Sequence, residues 1–165
     1  MARRVFFSFH YANDAWRASQ VRNMGVLEGN KPVSDNDWEA VKKGGDAAIE
    51  KWIDGQLSGT SCAVVLVGSQ TSQRKWVIRE IVKAWDAGKG VVGVRIHNLK
   101  DASENTCTAD ENPFYKVGYG NTGKKLASIV KLYDPSGRDS SAVYATIKNN
   151  LDGWVDEAIK IRANN

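Results

Sequence analysis

Cysteine and histidine are scarce in this chain, at two residues each, and proline is nearly as rare at three. Two cysteines allow one disulfide at most, and the positions do not invite it. Cys62 falls inside the apolar run CAVVLV and Cys107 inside a polar loop. Both are expected as free thiols of a reducing compartment. His10 and His97 come without CxxC or HExxH spacing, so no metal site is expected. Also absent is a run of ~18 apolar residues that could span a bilayer. The opening MARRVFFSFHY reads as a strand rather than a signal peptide. A soluble, cytoplasmic protein with no membrane partner follows. Charge of one sign is lacking too: 23 Lys and Arg stand against 19 Asp and Glu, a net charge of +4. The basic residues are scattered, with only Arg3-Arg4, Lys42-Lys43 and Lys124-Lys125 reading as local patches, so nucleic acid is not expected as a partner.

What is present is the apolar content of a globular protein, 42% over 165 residues, a length suited to one domain over 1–165. Residues 4–10 (RVFFSFH), 62–67 (CAVVLV) and 91–96 (VVGVRI) are short, β-rich and apolar, the pattern of parallel strands covered on both faces. Between them run helical periods: Ile49, Trp52, Ile53 and Leu57, then Val77, Ile81, Ala84 and Trp85. The first ends near residues 55–59 and the second at Gly88-Lys-Gly90, the glycine punctuation of helix C-termini. A helix over 14–24 follows the first strand, with Asn13 or Asp14 as N-cap. A final helix over 141–163 carries Val143, Ile147, Leu151, Trp154 and Ala158 and is expected to cover the sheet edge. Weak strands around 32–33 and 129–132 bring the sheet to about five. Alternating β and α units with short connections imply an open parallel α/β sheet with helices on both faces, flavodoxin-like or TIR-like. Residues 97–125 are too long and polar for a plain connection and read as a functional insertion.

In such sheets ligands bind beyond the carboxyl ends of the strands. The first strand ends at Ser8-Phe9-His10-Tyr11, the apolar strand at Gly68-Ser69, and the next helix opens with Trp76-Val-Ile-Arg-Glu80, so these groups are expected on one rim. Trp76 and Glu80, four apart, share a helix face, while Val77, Ile81 and Trp85 point into the core. Blander roles stay open at this point. Glu80 could pair on the surface with Lys83 or Arg79, Trp76 could be a core-edge aromatic, Ser8 could bond backbone, and Phe9 could pack in the core.

The opening VFFSFHYAND resembles the first-strand motif of TIR domains. The succession from Gly45-Asp46 to Leu57, followed by SGTSCAVVLVGSQTSQRKWVIREI, resembles the TIR order of helix, strand, serine and W-x-x-x-E. Over residues 3–97, Glu80 falls on the catalytic glutamate of NAD-cleaving TIR enzymes. A narrower resemblance is to the TIR-like subunits of Thoeris antiphage systems, carried by RVFFSFHY, by SDNDWEAVKK over 34–43, and by the loop ENPFYKVGYGNTGKKL.

That resemblance implies an enzyme that breaks the nicotinamide–ribose bond of NAD and makes an ADP-ribose or cyclic ADP-ribose signal. NAD is then a substrate, and no cofactor is implied. Glycosidases use two carboxyl groups because their leaving alkoxide must be protonated. Nicotinamide leaves as a neutral molecule, so one anion beside the ribose suffices to stabilise the oxocarbenium-like charge. Glu80 is the candidate. Trp76 would wall the pocket, Ser8, Phe9, His10, Tyr11 and Ser69 would border it, and Asp37 and Trp38 would close over NAD or meet a neighbouring subunit. The implied partners are a phage-derived activator, further copies of the chain on activation, and an effector reached through the diffusible nucleotide. Phe114, Tyr115 and Tyr119 read as exposed loop aromatics suited to a base or a partner subunit. The alternative is a non-enzymatic TIR-like adaptor. A phosphoryl receiver would want acidic residues where the first strand ends in Ser8-Phe-His10.

Overall fold

The computed structural model describes residues 3–29, 40–119 and 123–165, Tyr119 by its backbone alone. Its chain order is β1 (Arg4–Ser8), α1 (Tyr11–Arg22), β2 (Glu28–Gly29), α2 (Gly45–Leu57), β3 (Cys62–Val67), α3 (Lys75–Asp86) and β4 (Gly90–Arg95). There follow β5 (Gly118–Tyr119), β6 (Lys124–Lys125), β7 (Leu132–Tyr133) and α4 (Ser140–Ala163). Five strands form one sheet in the order β2-β1-β3-β4-β7, every pairing parallel. With β7 in fifth place this is the flavodoxin-like order. β5 and β6 make a separate antiparallel pair.

The centre of the sheet explains its sequence. Each residue of β3 is fully buried, Cys62, Val64 and Leu66 against α1 and α4, Ala63, Val65 and Val67 against α2 and α3. Successive side chains point to opposite faces, so a strand covered on both sides must be apolar throughout. α2 buries Ile49, Ile53 and Leu57, and α3 buries Val77, Glu80, Ile81 and Ala84. The glycine punctuation falls where expected, with Gly59 and Gly88 at positive φ just past α2 and α3.

Several expectations need correction. The first strand stops at Ser8 because His10 is the N-cap of α1: its Nδ1 accepts the Asn13 N–H at 3.2 Å, so the helix starts three residues before Asp14. The second strand pairs through Glu28 and Gly29, while the strand expected at 32–33 lies outside the described residues. The last strand is displaced from 129–132 to Leu132–Tyr133. α4 lies over β4 and β3 on a face of the sheet, not along its edge. It comes so close that a Cβ on Gly90 would stand 2.8 Å from the Ile159 nitrogen. Val155 takes the buried place expected of Trp154, which stacks on Tyr133 at 4.4 Å instead. Trp85 packs half-buried against the α2/α3 core, with the Arg162 guanidinium 4.5 Å from its ring.

In the 97–125 insertion, Phe114 is 0% exposed and belongs to the core beneath α2 and α3. It enters through a short 3-10 turn capped by Asn112, whose side chain accepts the Phe114 N–H. The reading of Phe114 as an exposed aromatic is therefore wrong. Tyr115 beside it is 66% exposed.

Candidate active site

From the carboxyl end of β1 the chain turns to α1 on one face, and from β3 it turns to α3 on the other. That divergence opens the crevice where open α/β sheets place ligands. Ser8 closes β1 in register with Val65 of β3. It shares the strand face of Phe6, which packs on the α2/α3 side. Its hydroxyl there donates to Glu80 Oε1 at 3.1 Å, a buried bond between residues 72 apart in sequence.

Glu80 is 8% exposed and lies within the apolar stripe of α3, between Val77, Ile81 and Ala84. Trp76, four residues earlier, is half-buried against the same core cluster, so the face it shares with Glu80 merges with the apolar stripe instead of standing apart from it. The surface pairing is excluded as well, since Lys83 engages Glu50 and Asp54 and Arg79 engages Glu50. Those pairs, with Lys75 on Asp46, form a ladder of three rungs that tie α3 to α2 along its outer side. With its cations spent outward, α3 offers none to Glu80. Burial pushes the Glu80 carboxyl up to about 8, against the opposing pull of the Ser8 hydroxyl.

His10 is 5% exposed. Burial first, then the Arg74 cation, hold its imidazole below the ordinary histidine value. Its Nδ1 accepts the helix cap bond, which assigns the proton of the neutral ring to Nε2. Phe9 packs against the α1/α4 core and stacks on Tyr11 at 6.2 Å between centroids. Ser69 lies on the turn after β3, and Trp76 in the first turn of α3, half-buried with Lys75 Nζ 4.7 Å from its ring centroid. Asp37 and Trp38 lie outside the described residues. Ser8 and Glu80 thus meet directly, His10, Tyr11, Ser69 and Trp76 sit on the segments that flank them, and Phe9 serves packing.

Sequence reasoning passed over a second polar group at this rim. Asp14 and Arg17, three apart in α1, form a buried ion pair of 3.0 Å, with Asp14 against Gly68 at the end of β3. A charged pair in the first turns of a helix reads as solvated until its neighbours in space are known.

Comparison with known proteins agrees with this geometry. Residues 6–101 match the family described as Thoeris protein ThsB, TIR-like domain. A relative from Bacillus cereus (strain MSX-D12), named "Putative cyclic ADP-D-ribose synthase ThsB1", is 40% identical over 133 residues, covering 76% of this chain and 69% of that protein. The sheet order, the Ser8–Glu80 contact at the crevice and these matches converge, and the chain belongs to the ThsB TIR-like domain family.

Proposed function

We propose that the chain cleaves the nicotinamide–ribose bond of NAD and closes the remaining ADP-ribose into a cyclic isomer. The observation that carries this reading is the buried Glu80 carboxyl held by Ser8 at the carboxyl end of β1. The name of the Bacillus cereus relative supports the choice of product class.

The chemistry suits one carboxylate. The C1–N bond of the nicotinamide ribose breaks, its electron pair leaves with neutral nicotinamide, and the sugar carbon takes on oxocarbenium character. An oxygen or nitrogen of the same ADP-ribose captures that carbon and sheds a proton. Capture by water instead yields linear ADP-ribose and a proton. Ser8 engages Oε1, and among the described residues Oε2 has no hydrogen-bond partner, which leaves it to accept the ribose hydroxyls. A carboxyl with a value near 8 is mostly protonated in the empty site at neutral pH. The cationic pyridinium of arriving NAD favours its ionised form, so the stabilising charge is created by the substrate that needs it.

In the wider proposal, the cyclic product diffuses to an effector, a phage component activates the enzyme, and copies of the chain associate on activation. Incubation with NAD, followed by assay of free nicotinamide and chromatographic separation of cyclic from linear ADP-ribose, tests the central claim. Glu80→Gln keeps the shape and removes the charge, and turnover should fall ~100-fold or more. Equal turnover by that variant at matched assembly state removes Glu80 from the mechanism. No nicotinamide release by the activated parent would leave an interaction module instead.

A further inference from the structure

The turn from Gly68 to Arg74, which launches α3 and so aims Glu80, is held from two sides. On one side lies α1. Asp14 is fully buried, and its carboxylate presses on Gly68 so closely that a Cβ there would stand 2.6 Å from the Asp14 carboxyl carbon. Only glycine leaves room for it. On the other side lies the insertion after β4. Asp110 donates its N–H to the Gly68 carbonyl at 3.2 Å, and its carboxylate accepts the Ser72 N–H at 2.7 Å. Arg95 at the end of β4 in turn donates to the Asp110 carbonyl. Within the turn, the Gly68 N–H donates to the Thr71 hydroxyl at 2.8 Å, and Thr71 and Ser72 are both buried.

One side chain joins the two sides. Arg17 is buried, and its guanidinium donates to Asp14 Oδ1 at 3.0 Å, to the Leu99 carbonyl at 2.8 Å and to the Asn105 carbonyl at 2.9 Å, with Asp101 3.8 Å away. A planar fork with several fixed donors suits this task, and a lysine could not reproduce it. Asp14 keeps its second oxygen, Oδ2, buried without a hydrogen-bond partner among the described residues. Fold stability alone gives no reason to bury that oxygen.

We propose that Asp14 and Arg17 are positioning residues of the Glu80 site, fixing the Gly68–Arg74 turn against α1 and making residues 97–112, the first part of the 97–125 segment, a lever on the aim of Glu80. Neither reaches Glu80 itself. They act through the turn, and a shift of the insertion reaches α3 through Asp110 and Ser72. The catalytic consequence rests on the NAD reading above, whereas the placement of Glu80 does not.

The test uses protein labelled with 13C at the glutamate carboxyl carbons, with the Glu80 signal assigned by its loss in Glu80→Gln. Gly68→Ala drives the Asp14 carboxylate from its seat, and Arg17→Lys keeps the charge but loses the fork. In both, the Glu80 carboxyl should titrate at least about one pH unit closer to ordinary glutamates than in the parent. NAD turnover should fall in kcat by ~100-fold, the cost of a misplacement near 1 Å, with KM little changed. Adding Gly68→Ala to Asp14→Ala should cost little further, because the clash is already gone. If the first two variants do not fold, Asp110→Asn decides by the same titration, since Asp110 is partly exposed and the change keeps its shape. Folded variants that melt lower but leave the Glu80 titration and kcat at parental values would overturn the proposal. A parent that releases no nicotinamide sinks the NAD reading alone, and the titration still decides the positioning.

Discussion

Glu80 carries two opposed demands, one from the fold and one from the chemistry. The fold buries it in an apolar stripe and favours the neutral acid, while the proposed catalysis needs the anion. The ordinary glutamate value of 4.5 in the unfolded chain and about 8 in the folded one mean that the folded state holds the extra proton between those limits. Stability from this group is therefore complete below about 4.5 and is lost as pH rises through about 8. Urea unfolding of the parent should show a loss on the order of 3–5 kcal/mol across that interval that Glu80→Gln does not share. His10 works in the opposite sense: its lowered value makes the fold lose stability as pH falls below about 6.5. Kinetics should carry the same signature. kcat/KM, which reports the free enzyme, should climb about tenfold per pH unit below 8 and then level, while kcat levels at lower pH because bound NAD promotes ionisation. A kcat/KM flat across this range would show that Glu80 ionisation does not limit the reaction.

Among the elements, legibility followed how many faces were covered. β3 could be read to its bounds because burial on both faces leaves no room for a polar residue in CAVVLV. β2 could not, since the pairing of Glu28 and Gly29 is too short to leave a period. α1 was misjudged because histidine is an uncommon N-cap, and the cap bond from Asn13 appears only in three dimensions. The W-x-x-x-E spacing located α3 and Glu80 but set the carboxyl apart from the buried stripe that it joins. Its place in the buried stripe depends on the ladder that draws Lys75, Arg79 and Lys83 outward to α2. The insertion hid its anchor in the same way: nothing in ENPFYKVGYG separates the buried Phe114 from the exposed Tyr115. Phe114→Ala should cost about 3–5 kcal/mol in urea unfolding, whereas Tyr115→Ala should stay within about 0.5 kcal/mol. If Tyr115 serves assembly, its alanine variant will keep parental stability while losing mass gain and NAD turnover on activation by phage lysate.

For the molecule as a whole, the site at the β1/β3 crevice depends on a sheet whose two faces are closed by different means. α2 and α3 cover one face as neighbours linked by ion pairs, with Phe114 of the insertion filling in beside them. The other face relies on α1 together with α4, the last of the described helices, which brings Val143, Ile147, Leu151, Val155 and Ala158 onto β3 and β4. Because α4 follows every described strand in sequence, the face beneath it has no lasting cover until α4 itself has been made. Leu151 lies at the middle of that contact with no exposed surface. Leu151→Ala should lower stability by about 2–5 kcal/mol, with the Ser8–Glu80 pair on the far face left in place. The folded fraction should then turn over NAD at the parental kcat while the urea midpoint falls. A proportionate loss of kcat in fully folded Leu151→Ala would mean that the two faces are coupled through the sheet.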